Sequence, residues 1–155
     1  MTLSKVRPVS VTFDFDEVPT DEARCVTHEF ESFVHVAVYS PCTGYDATKM
    51  EARVQFDRCL RKHVVAQQQK YHKPVICSGD LNINPRRQDW HENAFASLAH
   101  LKASSGSQHH PGYSPQELTG YDQLLRASGL SNAWEFLYPY SDLGMTWHPP
   151  TDPHG

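Results

Sequence analysis

A short apolar segment that ends in polar residues constrains the fold of this chain more than any other feature. Residues 73–79 have the sequence Lys-Pro-Val-Ile-Cys-Ser-Gly, and Asp80, Leu81 and Asn82 follow at once. A short apolar run bounded by turn residues is typical of a strand buried in the middle of a sheet. Residues i and i+2 of an extended chain point to the same side. Asp80 and Asn82 are therefore predicted to project together, while Leu81 turns into the core.

A carboxylate beside an amide suits the hydrolysis of a phosphate ester. The carboxylate of Asp80 can accept a proton from an attacking water, and the amide of Asn82 can orient that water or donate to a developing negative oxygen. Both side chains also carry the hard oxygen atoms that Mg²⁺ prefers. The alternative interpretation is a simple strand end that turns into a loop, because Asp and Asn are common in such turns.

Three further strands precede this segment. Period-two alternation over residues 9–15 predicts a half-buried strand, and strands over 24–30 and 33–39 follow after short polar breaks. Because the breaks between them are short, the three strands are predicted to form an antiparallel meander.

Two helices are predicted from their caps and their apolar faces. Residues 48–51 have the form of a capping box that opens a helix over 48–70, and residues 114–117 have the same form with Pro at the first helical position. Gly129 ends this second helix. The apolar face of the first helix comprises Phe56, Cys59, Leu60, His63 and Val64.

The remaining segments are shorter or more polar. Residues 100–113 are predicted to form an exposed loop, and the apolar segments 134–138 and 144–147 to form the last turn and strand. A length of 155 residues fits a single domain over 1–155. No apolar run approaches the roughly 20 residues that a membrane span needs, so we expect a soluble protein that does not enter membranes.

Charge and cysteine content narrow the class of protein. The net charge of −4 argues against binding nucleic acid through overall charge, but residues 51–100 carry 8 basic and 5 acidic side chains. This middle third is either a local basic surface or a solvated helix face. The 4 cysteines form no CxxC pair and no secretory signal precedes them, so we expect reduced thiols in an intracellular protein, of the nucleus or cytoplasm or else of an organelle.

Several motifs, in their order and approximate spacing, resemble the exonuclease III class of apurinic/apyrimidinic endonucleases. They are Glu29 to Gly44 with its Tyr39-Ser-Pro41 element, residues 73–82, Pro111-Gly-Tyr-Ser-Pro-Gln-Glu117, and residues 137–139 followed by 145–147. The class belongs to the endonuclease/exonuclease/phosphatase superfamily. Gly-Asp-Leu-Asn occurs across that superfamily, including its phosphatases, whereas the 111–117 motif points to the DNA-repair branch.

The resemblance implies a fold, an activity and a partner. The fold is a partial four-layer α/β-sandwich of the endonuclease/exonuclease/phosphatase type. The activity is hydrolysis of the DNA backbone 5′ to abasic sites with Mg²⁺, or with Mn²⁺ in its place. The partner is double-stranded DNA with abasic sites, and the protein is expected to act as a monomer.

The resemblance also assigns roles to four residues. Tyr39 matches the tyrosine that hydrogen-bonds near the scissile phosphate, and Asp80 matches the residue that activates or positions the attacking water. Asn82 matches the residue that orients the nucleophile, and Asp80 and Asn82 together are the expected metal ligands. Trp147 falls in the segment that lines the pocket for the extruded abasic sugar. A nucleotide without a base costs less free energy to flip out of the stack, which gives such an enzyme its selectivity.

The sequence departs from the family pattern at several positions. Cys42 stands where the family usually has Asn. The motif is followed by a basic loop with Arg86 and Arg87, which either bind backbone phosphates or remain solvated. Family members also carry an Asn and a metal-binding Glu on two earlier strands, and an Asp and an Asp-His pair after the Thr-Trp segment, and this chain shows neither pair.

These departures predict that residues 1–155 are a truncated, central portion of the family domain and are inactive alone. A catalytically inactive nucleic-acid-binding remnant of the same fold is the first alternative function, and a superfamily phosphatase is the second. Flanking coding sequence for the absent segments would favour the enzyme over the remnant.

Overall fold

The computed structural model describes residues 2–13, 15, 23–44, 46–86, 89, 110–141, 144 and 146. These residues form four strands and three helices, and their order along the chain confirms the predicted α/β class. The strands are β1 (Ser10–Phe13), β2 (Cys25–Glu29), β3 (Val34–Tyr39) and β4 (Val75–Asp80), and the helices are α1 (Met50–Tyr71), α2 (Pro115–Ser128) and α3 (Ala133–Leu137).

The four strands form one sheet in the order β1-β2-β3-β4. β1, β2 and β3 pair antiparallel, so the predicted meander is confirmed. β4 pairs parallel with β3, because α1 carries the chain back across the sheet between them. β4 was expected in the middle of a sheet, but within the described residues it lies at the edge.

The core lies between one face of the sheet and α1. Alternate residues of β3 point to this face, and Val34 and Val36 are fully buried. The predicted apolar face of α1 is confirmed by the burial of Phe56, Cys59, Leu60 and Val64, and α2 adds Leu124. His63 lies at the margin of this face, where its Nε2 is 2.7 Å from the Thr27 hydroxyl oxygen.

The helix caps agree with the sequence at α2 and differ at α1. Ser114 and Glu117 form both hydrogen bonds of the capping box, and Gly129 ends α2 in the left-handed conformation. α1 begins at Met50 without a side-chain cap. The cap predicted at Thr48 is wrong, because its hydroxyl donates to the Asp46 carboxylate at 3.0 Å instead.

The other face of the sheet carries exposed apolar side chains. Val11 is 43% exposed, Phe13 71% and Ile76 50%. The expectation that the apolar side of β1 is buried is therefore wrong for the described residues. His28 and His35 also lie on this face as cross-strand partners, with ring centroids 5.5 Å apart.

The C-terminal segments differ from the prediction in one respect. Residues 134–138 were expected as an apolar turn, but residues 133–137 form the short helix α3 with Asn132 as its N-cap. The strand predicted over 144–147 and the loop over 100–113 lie mostly outside the described residues. None of the described helices is long and apolar enough to cross a membrane.

Acidification is predicted to destabilise the sheet through His35. Burial lowers the pKa of His35 below its ordinary value of 6.5, and the nearby His28 lowers it further. The unfolded chain then binds more protons than the folded chain, so the free energy of unfolding falls as the pH drops below that ordinary value. Urea unfolding at about pH 7.5 and about pH 5.5 measures the loss.

His35→Gln is the comparison variant, since glutamine can still hydrogen-bond the Ser78 hydroxyl, which lies 2.7 Å from His35 Nε2, but does not titrate. We expect a smaller loss of stability with acid in this variant. An equal loss in both proteins would assign the effect to other groups.

Candidate active site

The carboxyl ends of β3 and β4 bring Tyr39 and Asp80 together. The two strands are parallel and Tyr39 is the register partner of Asp80. Both residues therefore lie at the carboxyl ends of their strands and on the same face of the sheet. Tyr39 is 52% exposed. Arg24, the residue before β2, supports it, because its Nη1 donates to the Tyr39 carbonyl at 3.2 Å and its guanidinium carbon lies 5.1 Å from the ring centroid.

A turn, rather than an extended strand, brings Asn82 to the same place. β4 ends at Asp80, and Asn82 has a φ of 46° in the left-handed region. The Asn82 main-chain N–H donates to Asp80 Oδ1 at 2.9 Å, and its side-chain nitrogen donates to the Ser40 carbonyl at 2.8 Å. Leu81 packs against the core as predicted. The three expected site residues are therefore neighbours, although the extended-chain argument for Asn82 does not apply.

Close approach of two strands explains the glycine before Asp80. Gly79 has a φ of +132°, and a Cβ at this position would lie 2.0 Å from the Val38 carbonyl oxygen on β3. No side chain fits there, so glycine allows β3 and β4 to pair up to their carboxyl ends.

The sequence predicted Glu117 only as part of a helix cap, but in the structure this residue also connects two loops at the candidate site. It is fully buried, and its carboxylate accepts hydrogen bonds from Thr43 Oγ1 at 2.9 Å and from the main-chain N–H groups of Gly112 and Ser114, each at 3.0 Å. Burial opposes its ionisation, but these bonds and that of the Ser114 hydroxyl outweigh burial and hold the pKa of Glu117 below its ordinary value. Glu117 thus ties the loop after β3 to the loop before α2.

Of the other residues predicted to contact DNA, the structure describes only one. Arg86 is engaged with a single carboxylate, since its Nη2 donates to Asp89 Oδ1 at 2.8 Å and its main-chain N–H donates to Asp89 Oδ2 at 2.9 Å. Arg87 and Trp147 lie outside the described residues, so their predicted roles stay predictions.

The oxygen donors for a metal are few in this part of the chain. Within the described ranges, no group of three or more His, Cys, Asp or Glu residues is placed to hold a metal ion. Asp80 and Asn82 contribute a carboxylate and an amide at the carboxyl end of β4. Mg²⁺ commonly binds through one or two carboxylates and retains several waters, so these two side chains fit part of such a site.

Comparison with known proteins identifies the relatives of this chain. No protein-family model matches the sequence. A DNA-(apurinic or apyrimidinic site) endonuclease of Plasmodium falciparum is 30% identical over 118 residues, which are 76% of this chain and 19% of that protein. The DNA repair nuclease APEX1 of Danio rerio is 29% identical over 138 residues, 88% of this chain and 40% of that protein.

The resemblance to the exonuclease III class is confirmed. An exodeoxyribonuclease of Bacillus subtilis is also 28% identical over 145 residues, 93% of this chain and 52% of that protein. The chain thus spans between 19% and 52% of the length of these three relatives.

Solved structures confirm the fold of the exonuclease III class. An AP endonuclease from Archaeoglobus fulgidus superposes with a TM-score of 0.66 at 21% identity, and covers 88% of this chain and 48% of its own. The 3′ phosphatase NExo from Neisseria, bound to a product DNA hairpin, also gives a TM-score of 0.66, at 19% identity, and covers 85% of this chain and 47% of its own. The four described strands form a single sheet.

Gly79→Ala is predicted to cost about 3 kcal/mol or more in the free energy of unfolding, because a methyl group would overlap the Val38 carbonyl at an unfavourable φ. Gly129→Ala is the matched control. It also has a positive φ, but nothing lies within 4 Å of its Cβ position, so its cost is expected to be about 1 kcal/mol. Urea unfolding of both variants measures the difference, and equal costs would contradict the close approach of β3 and β4.

Proposed function

We propose that this chain carries part of the active site of a DNA-repair hydrolase that cleaves the phosphodiester backbone 5′ to abasic sites with Mg²⁺. The observation that carries the proposal is the meeting of Tyr39, Asp80 and Asn82 at one sheet edge, in a chain whose relatives are named as DNA-repair nucleases. The proposed substrate is double-stranded DNA, on which the protein acts as a monomer.

The proposed chemistry divides the work among the three side chains. The carboxylate of Asp80 accepts the proton of the attacking water, and one of its oxygen atoms is already oriented by the Asn82 N–H. The side chain of Asn82 is anchored on the Ser40 carbonyl, which fixes its amide group for orienting the water. The hydroxyl of Tyr39 donates to a phosphate oxygen from the same edge.

Mg²⁺ is the proposed cofactor, with Mn²⁺ as a substitute of the same oxygen preference. The oxygen atoms of Asp80 and Asn82 would hold it on the protein side. When bound, the ion supplies positive charge against the charge that develops on the phosphate.

Exonucleolytic cleavage of DNA ends is the second candidate function. The relative that covers most of this chain among the three compared is named an exodeoxyribonuclease. Both reactions break a phosphodiester bond with an attacking water, so the same three residues would serve either, and the substrate distinguishes them.

Nicking of a duplex that holds one abasic site tests the proposal. We expect a protein that contains this chain within the full length of its relatives to nick 5′ to the lesion with Mg²⁺ and not with EDTA. Asp80→Ala is expected to reduce the rate by at least about 10²-fold, because an oriented polar group is lost. Asp122→Ala is the control, since this carboxylate is exposed on α2 and pairs only with Arg126 in the described structure.

The 155-residue chain alone is predicted not to nick, because Asp80 has no cluster of further metal-ligating residues around it in the described ranges. Nicking by this chain that Asp80→Ala abolishes would contradict the predicted inactivity. Duplex binding without nicking by that longer protein would favour the inactive remnant. Release of a 3′-terminal phosphate or shortening of a recessed 3′ end without nicking would favour the phosphatase or the exonuclease.

Duplex binding by the chain is predicted to be weak and to fall steeply between about 50 mM and about 200 mM salt. Replacing Arg86 and Arg87 by Ala should weaken binding to all sequences and reduce the salt slope by about 1 for each lost contact. Arg126→Ala, at the far end of α2, is the control. Fluorescence anisotropy measures both effects, and salt-independent affinity would contradict a phosphate-binding surface. The effect of Arg86 is expected to be the smaller one, because its ion pair with Asp89 competes with phosphate.

A further inference from the structure

A buried arginine contacts both loops that carry the candidate site. Arg53 of α1 is 2% exposed. Its Nη1 donates to the Pro41 carbonyl after β3 and to the Asn82 carbonyl after β4, each at 3.0 Å, and its Nη2 donates to the Leu81 carbonyl at 2.9 Å. One guanidinium group therefore binds three main-chain carbonyls from two separate loops.

Two carboxylates balance the charge of Arg53. Its Nε donates to Asp57 one turn along α1, at 2.9 Å and 3.0 Å to the two oxygen atoms. Its Nη1 lies 3.8 Å from Glu117 Oε1. Because Glu117 binds Thr43, Gly112 and Ser114, the charge cluster of Arg53, Asp57 and Glu117 connects α1 with three loops.

The turn after β4 depends on an outside donor. Leu81 and Asn82 follow the last residue of the strand, so their carbonyls have no partner in the sheet ladder. The left-handed φ of Asn82 directs its main-chain N–H to Asp80, and the opposite side of the turn faces Arg53. The two carbonyls are partly buried and need hydrogen-bond partners, and among the described residues Arg53 supplies them.

We propose that Arg53 is a positioning residue of this site, which fixes the Leu81–Asn82 main chain and so sets the placement of the Asn82 amide groups relative to Asp80. The proposal rests on the proposed hydrolase function for its consequence, but its geometry is independent of that function. Arginine suits the role better than lysine, because its planar fork reaches several acceptors at fixed angles.

NMR of Asn82 in the 155-residue chain tests the proposal directly. In Arg53→Lys the charge remains but the fork is lost. We expect the Asn82 main-chain amide proton to exchange with water roughly tenfold faster, as the loss of one ordinary hydrogen bond produces. We also expect the two protons on the Asn82 side-chain nitrogen to move towards their free chemical shifts, because the bond to Ser40 weakens with the turn.

Two further variants separate positioning from general stability. Val64, on the same helix, is fully buried, and Val64→Ala removes core atoms but no hydrogen-bonding group, so it should lower the unfolding midpoint and leave the Asn82 signals unchanged. Asp57→Ala releases the Nε anchor of Arg53 and should speed Asn82 exchange in the same direction as Arg53→Lys, which keeps the test valid if Arg53→Lys does not fold.

Addition of Mn²⁺ distinguishes this proposal from the proposed function. Selective broadening of the Asp80 and Asn82 signals in the wild-type chain, reduced in Arg53→Lys, would support both. Absence of broadening in the wild-type chain would count against the metal role of Asp80. The role of Arg53 would then be decided by the amide exchange of Asn82 alone. The positioning role would be overturned if Arg53→Lys and Asp57→Ala both kept the amide exchange rate and the side-chain chemical shifts that Asn82 has in the wild-type chain.

Discussion

The hydrogen bonds of the buried Arg53 guanidinium hold together the part of this structure that matters for chemistry. Removing one partner of a buried ion pair typically costs about 3 to 5 kcal/mol, because the remaining charges stay buried without compensation. Here the loss of Arg53 would leave the Asp57 carboxylate without its ion pair and three carbonyls without this donor, whereas Glu117 would keep its hydrogen bonds from the loops. Substitution of Arg53 is therefore expected to disturb α1 and both loops at once.

The 111–117 motif acquires a physical explanation from this arrangement. Gly112 and Ser114 donate main-chain N–H groups to Glu117, Pro115 begins α2, and the Gly112 carbonyl accepts from the Asn84 N–H at 2.8 Å. The motif therefore shapes the loop beside Asp80–Asn82 rather than presenting reactive groups of its own. Its specificity for one branch of the superfamily is compatible with a role in positioning, which needs several residues at fixed spacing.

Much of the fold could be predicted because its local signals agree with its tertiary structure. The apolar segment of β3 after its polar break, the apolar face of α1 and the Ser114 capping box each predict an element within about two residues of its observed bounds. The faces of the sheet could not be predicted, because alternation shows that Val11 and Phe13 share a side but not whether that side is covered. Likewise, a short apolar run does not show whether β4 has neighbours on one edge or two.

The candidate site was predictable at Tyr39 and Asp80, since both end strands, but not in its support. Arg53 lies three residues before Phe56 and seven before Leu60, so it belongs to the buried face of α1 by helical period. A charge at such a position was the available signal. Its partner Glu117 showed no comparable signal, because a glutamate at that place in a capping box already has a complete local explanation.

The unequal environments of the four cysteines have a practical consequence for studying this protein. Cys25 and Cys59 are buried, and burial raises the pKa of Cys77 to about 11, whereas Cys42 is exposed and directly follows Pro41. Thiolates are the reactive form, so an alkylating fluorophore at neutral pH will attach to Cys42 in preference to the others. The native sequence thus offers a single labelling position beside the carbonyl that Arg53 binds, without any cysteine having to be removed or introduced.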